Sequence, residues 1–164
     1  MAAPENPDSR QALELARTAQ ARFETTEAAV GKLGLDLERI KCCSEELLAG
    51  IHQGSGQNSV MWILEIAGAM LTAVMAVNRE PVPISDQVDP ASYAMSVLRD
   101  LSTAAGDKGL DFPFLEQLAV DGLKTAEAGG FSNQEVFWAI NQATASCELA
   151  WARAMAGPVP FARK

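Results

Sequence analysis

Histidine is nearly missing from this chain: His52 is the only one among 164 residues. One imidazole excludes any metal site built on several histidines. It also makes a Ser–His–Asp triad depend on a single residue in a glycine-rich stretch, where surface or loop packing is the expected role. Cysteine is scarce as well. Cys42, Cys43 and Cys147 lack the paired CxxC spacing of a zinc site and cannot form a disulfide framework, so buried or half-buried reduced thiols are expected. No Lys/Arg cluster occurs, and 13 basic against 21 acidic residues leave a net charge of −8. A phosphate backbone would be repelled, and no nucleic-acid partner is expected. A P-loop, a GxGxxG turn and the ExxH pattern of di-iron bundles are all missing. The opening residues have neither a basic n-region nor an apolar run, so no secretory leader is expected and a cytoplasmic location follows.

What is present is a helical pattern. Apolar residues make up 48% and charged residues 21%, an ordinary globular balance that argues against disorder. A chain of this length buries roughly 70% of its unfolded surface, enough for one core. No window alternates with period two, whereas spacings of three, four and seven recur throughout. They predict an all-α single domain over residues 6–156, between short tails at 1–5 and 157–164.

About six helices are expected. The first starts at Asn6-Pro7, buries Leu13, Ala16, Ala19, Phe23, Val30 and Leu33, and stops at Gly34. Asp36 caps a second, with Leu37, Ile40, Leu47 and Ile51 inward. The third, over residues 58–77, is apolar nearly all round and belongs at the centre. Its length would also suit a membrane span, but Glu65 near its middle and the lack of flanking cations favour a buried core helix. After a proline-rich connection, a fourth helix buries Ala94, Val97, Leu98, Leu101 and Ala105. Asp111 caps a fifth with Phe112, Leu115, Ala119, Leu123 and Ala126 inward. Ser132 and Glu135 form a capping box for the sixth, whose stripe is Val136, Ile140, Ala143, Cys147, Ala150 and Ala154. Trp62, Trp138 and Trp151 fall on apolar stripes and are expected in the core.

The chemistry-bearing clusters are modest. Glu45–Glu46 and Glu24–Glu27 read as solvated faces. The loop Gly54-Ser55-Gly56-Gln57-Asn58 is a weak anion-loop signal, and a simple helix-to-helix turn explains it as well. Arg99 and Asp100, adjacent on a helix, point to different faces and are expected in solvent.

The order of these segments is more informative than any one of them. Gly34-Leu35-Asp36, Gly54-Ser55-Gly56-Gln57-Asn58, Arg99-Asp100-Leu101, Gly109-Leu110-Asp111-Phe112-Pro113 and the stretch from Gly129-Gly130 to Asn133 follow one another with particular spacing. In this the chain resembles the C-terminal helical domain of the β-hydroxyacid dehydrogenases, the 3-hydroxyisobutyrate dehydrogenase group, over residues 9–141. The resemblance implies a fold like the C-terminal domain of 6-phosphogluconate dehydrogenase. It implies self-association or pairing with a Rossmann-type chain, and a small anionic ligand. It also implies a cofactor or ligand edge made of Gly54, Ser55, Gly56, Gln57, Asn58, Arg99 and Asp100.

The chain also departs from the family. The family's Rossmann domain has no counterpart here, so NAD or NADP is expected only with a partner chain and no cofactor with this chain alone. Where the family's catalytic lysine pattern falls, the residues are Ser9 and Leu13, with Arg10 one position away. Arginine holds its proton too tightly to act as an acid. No catalytic residue is therefore carried over. The expected function is a non-catalytic subunit or a dimerisation or ligand-binding module; the alternative is an unrelated helical bundle acting as an interaction protein.

Overall fold

In the computed structural model, residues 7–52, 59–82 and 88–156 are described. They form six α-helices and no strand: α1 (Pro7–Leu33), α2 (Leu37–His52), α3 (Val60–Val77), α4 (Pro90–Asp107), α5 (Phe112–Ala128) and α6 (Asn133–Ala156).

Local chemistry sets the helix starts. Asp36 Oδ1 accepts from Glu38 N at 3.0 Å, and Asp111 Oδ1 accepts from Phe114 N at 3.3 Å. Asp89 caps α4 through Ser92 N at 3.1 Å, with Pro90 at the first helical position. At α6 the capping box closes in both directions: Glu135 N donates to Ser132 Oγ and Ser132 N donates to Glu135 Oε1, at 3.2 and 2.9 Å.

Four helices end in one way. Leu35 N reaches back to Val30 O, Leu110 N to Ala105 O, Phe131 N to Ala126 O and Glu80 N to Met75 O, over 2.8–3.3 Å. This closure requires a left-handed residue just before the donor. Gly34, Gly109 and Gly130 occupy that position at φ +72°, +73° and +84°, and Arg79 occupies it at +58°. After the three glycines, Leu35, Leu110 and Phe131 turn back onto the core. After Arg79 the residue is Glu80, whose carboxylate instead accepts from Asn133 Nδ2 at 2.7 Å. That bond ties the end of α3 to the start of α6.

Helix α3 packs against α4, α5 and α6 and touches α2. It buries Val60, Ile63, Leu64, Ile66, Ala67, Leu71 and Met75 among others. It is long and apolar enough to cross a membrane, and half of it is buried inside the bundle. Among the described residues, the most extensive helix-to-helix packing is between α1 and α6. Arg39 fastens α2 to the α5–α6 turn: its guanidinium donates to both Glu135 oxygens (2.7 and 3.3 Å) and to Gly130 O (3.4 Å), and lies over the Phe131 ring.

The faces of α2, α4 and α5 are as the periodicity predicts, with Ile40, Leu47, Ile51, Ala94, Leu101, Ala105, Leu115, Ala119 and Ala126 buried. On α1 the expected face is met in part: Ala19 and Val30 are buried and Ala16 and Phe23 half-buried. Leu13 and Leu33 are about half exposed, while Ala12, Ala19, Thr26 and Val30 carry its buried face. Small residues there let the α6 backbone come close, so the larger side chains are left outside. Among the tryptophans, Trp138 is buried and Trp62 half-buried, but Trp151 is 55% exposed and is not a core residue.

Candidate functional site

A cleft of about 790 Å³ lies beside the α6 stripe. One wall is the first turn of α3, with Ser59, Val60, Met61 and Trp62, and Leu48 of α2 lies next to it. The opposite wall is the C-terminal half of α6, with Ser146, Cys147, Ala150, Trp151 and Ala154. Lys108 and Leu110, from the turn between α4 and α5, also line it. The volume is that of a small-molecule site, and an apolar lining with a few polar groups is the usual composition of one.

The cleft lies on a side of α6 that the described helices cover only in part, although Ala145, Glu148 and Ala152 of the same helix are buried. Val136, Ile140 and Ala143 of its stripe are buried as expected. Further along the same stripe Cys147 is half-buried, and Ala150 and Ala154 are exposed at the cleft. A face built for packing is therefore left partly open by the described residues. Burial raises the Cys147 thiol above its ordinary value, with the Glu148 carboxylate adding to the effect. Cys147 thus presents a neutral, weakly polar group to the cleft.

Lys108 is the only charged side chain among the described lining residues. It is the C-cap of α4, where its amide donates to the carbonyls of Ala104 and Ala105, and its side chain is exposed. No ion pair holds its ammonium among the described residues. Nothing in the sequence marks Lys108, since its place depends on a turn that meets α3 and α6 only in the folded chain.

Of the expected site residues, Gly54, Ser55, Gly56, Gln57 and Asn58 lie outside the described residues, as does the side chain of His52. Their flanks are described: the loop leaves α2 and enters α3, so it joins two helices. Arg99 and Asp100 are exposed on α4 and do not line the cleft. Among the described residues no group of three or more His, Cys, Asp or Glu could hold a metal ion.

Three stations of the resemblance also have a purely local role. Gly34-Leu35, Gly109-Leu110 and Gly130-Phe131 are the left-handed residue and apolar follower that terminate α1, α4 and α5. No protein family, curated protein or solved structure matches the chain detectably.

Proposed function

We propose that this chain is a non-catalytic helical binding module whose ligand site is the cleft between α3, α6 and the α4–α5 turn. The observation that carries this reading is the α6 face at Cys147, Ala150 and Ala154, which the described residues leave open and which lines one cleft with Val60, Met61 and Trp62. Apolar surface left open in a concavity is the common mark of a binding site. The resemblance to the helical half of 3-hydroxyisobutyrate-type dehydrogenases adds to it. The cleft is bordered on one side by Ser59, which directly follows the glycine loop, and on another by Lys108, which directly precedes the Gly109 motif. In that form the module has a fold like the C-terminal domain of 6-phosphogluconate dehydrogenase. It assembles with itself or with a Rossmann-type chain, and NAD or NADP enters only through such a partner. Three free thiols suit a reducing, cytoplasmic setting.

The test is a titration of the purified chain with N-phenyl-1-naphthylamine, a neutral apolar dye, read by tryptophan quenching and dye emission. Saturable binding is expected, and Ala150→Trp, which fills the cleft from an exposed position, should abolish it while leaving the helical circular dichroism spectrum intact. Failure to saturate, or binding unaffected by Ala150→Trp, removes the reading.

A second reading is a helical interaction protein unrelated to the dehydrogenases. It is favoured by the local role of the three glycine pairs and by exposed Val74, Val77, Val88, Tyr93 and Met95 on α3, α4 and the residues before α4. A stable dimer in light scattering, with no dye binding, would support it over the first.

A further inference from the structure

We infer that the cleft selects an amphipathic anion, with an apolar body held between α3 and α6 and a single carboxylate at Lys108. This rests on the cleft being a ligand site, and adds the class of ligand. Met61, Trp62 and Trp151 supply broad apolar and aromatic walls that suit an alkyl chain or a flat ring equally. Such walls fix no orientation by themselves. Orientation has to come from a polar group, and Lys108 is the charged side chain among the described lining residues.

Charge complementarity decides the sign. The protein carries a net charge of −8, so a free anion is repelled by the molecule as a whole. Lys108 puts a cation in the cleft wall, with the exposed Asp107 beside it in the chain but outside the lining. Asp111, the nearest carboxylate after it in the chain, is engaged with Phe114 N at the start of α5. Lys108 is also tethered by its backbone at the end of α4, so its ammonium swings on a fixed anchor. The first turn of α3 forms the adjoining wall, and the N-terminal end of a helix favours negative charge as well. A neutral apolar molecule of the same shape would gain the walls and forgo the cation. An amphipathic cation would meet Lys108 as a like charge.

The experiment compares decanoate with 1-decanol, two ligands of one chain length that differ in the head group, by displacement of the neutral dye at pH 7.5. Lys108→Gln should weaken decanoate by roughly three- to fivefold, as expected for an exposed charge pair, and leave decanol unchanged. Lys108→Arg should restore decanoate, and 0.5 M salt should weaken decanoate alone. Lys124→Gln, an exposed cation on α5 away from the cleft, should alter neither.

If both ligands bind but Lys108→Gln affects them equally or not at all, the anion preference is wrong and the cleft still stands as a site. If neither binds, the binding-module reading fails with it. Two further outcomes overturn the inference by naming another occupant. One is ligand binding lost as the chain dimerises with concentration. The other is ligand binding that appears only after residues 157–164 are removed.

Discussion

Arg22 on α1 and Glu148 on α6 form a two-pronged ion pair, Nε to Oε1 at 2.9 Å and Nη2 to Oε2 at 3.4 Å, across 126 residues of chain. The Glu148 side chain is 7% exposed and that of Arg22 35%. Removing the cation strands a buried carboxylate. Arg22→Met should therefore destabilise the fold by about 1–3 kcal/mol, less than for a fully buried pair because Arg22 still touches water. Arg22→Met with Glu148→Leu should recover much of that loss in urea unfolding. Equal losses in the single and double variants would mean the pair contributes nothing beyond packing.

Glu65 of α3 lies in the field of the same pair, and this gives a pH dependence. Burial raises its carboxyl above the ordinary range, Arg22 offsets part of that, and Glu148 adds to it. A folded value above the unfolded one means the neutral form is favoured in the native state. The stability this contributes is complete below the unfolded value of about 4.3 and is lost as pH rises through the folded value. Glu65→Gln should thus exceed the parent in stability at pH 7, by less than about 1 kcal/mol since the residue is partly exposed. The difference should close below about pH 4. A gain that persists unchanged at low pH would assign it to something other than ionisation.

Thr26 is buried one turn after Arg22, and its Oγ1 has no hydrogen-bond partner among the described residues. Its methyl and Cβ fill space on the α1 face that meets α6, while its hydroxyl is dehydrated without compensation. Thr26→Val keeps the shape and replaces the hydroxyl by a methyl group. A gain of about 1 kcal/mol is expected from thermal unfolding. Destabilisation instead would show that the hydroxyl is satisfied in solution.

The features legible in the sequence are those decided within a few residues. Asp36, Asp111 and the Ser132–Glu135 box act on amides two or three positions away, so spacing alone finds them. The faces of α2, α4 and α5 could be read because their apolar residues recur at helical spacing and pack into the core. Those of α1 and α6 were legible only in part: Ala19, Val30, Val136, Ile140 and Ala143 are buried as expected, whereas Leu13, Leu33, Ala150 and Ala154 are exposed. Leu13, Leu33 and Trp151 are exposed although each lies on a stripe of helical period. The Arg22–Glu148 pair and the placing of Lys108 depend on contacts between distant segments. No local pattern encodes them.

The left-handed residues that end the helices give a paired prediction. Gly109 at φ +73° has open space where a side chain would begin, so Gly109→Ala introduces backbone strain and no clash. A loss of about 1 kcal/mol is expected. Arg79 already bears that strain at φ +58°. Arg79→Gly should stabilise by about 0.5 kcal/mol, the relief being partly cancelled by greater freedom of the unfolded chain. Both shifts are measurable as changes in urea midpoint. A stabilising Gly109→Ala would mean the α4–α5 turn relaxes to another conformation.

The three thiols should separate by reactivity, and one of them reports on the cleft. Cys42 is exposed. Cys43, its neighbour, is fully buried and its thiol is pushed up to about 12, first by burial and then by the nearby Glu46 and Glu135 carboxylates. Native alkylation by iodoacetamide should therefore mark Cys42 and leave Cys43 until the chain unfolds. Cys147 is intermediate: half-buried, raised by burial, but open to the cleft. It should react slowly at pH 8.5, because the thiolate is the nucleophile and little of it is present. Saturating N-phenyl-1-naphthylamine should slow Cys147 further and leave Cys42 unchanged, since only Cys147 shares a wall with the bound dye. Peptide mapping by mass spectrometry reads all three rates in one sample. Equal protection of Cys42 and Cys147 would indicate general stabilisation by the dye, whereas protection of Cys147 alone places the dye between α3 and α6.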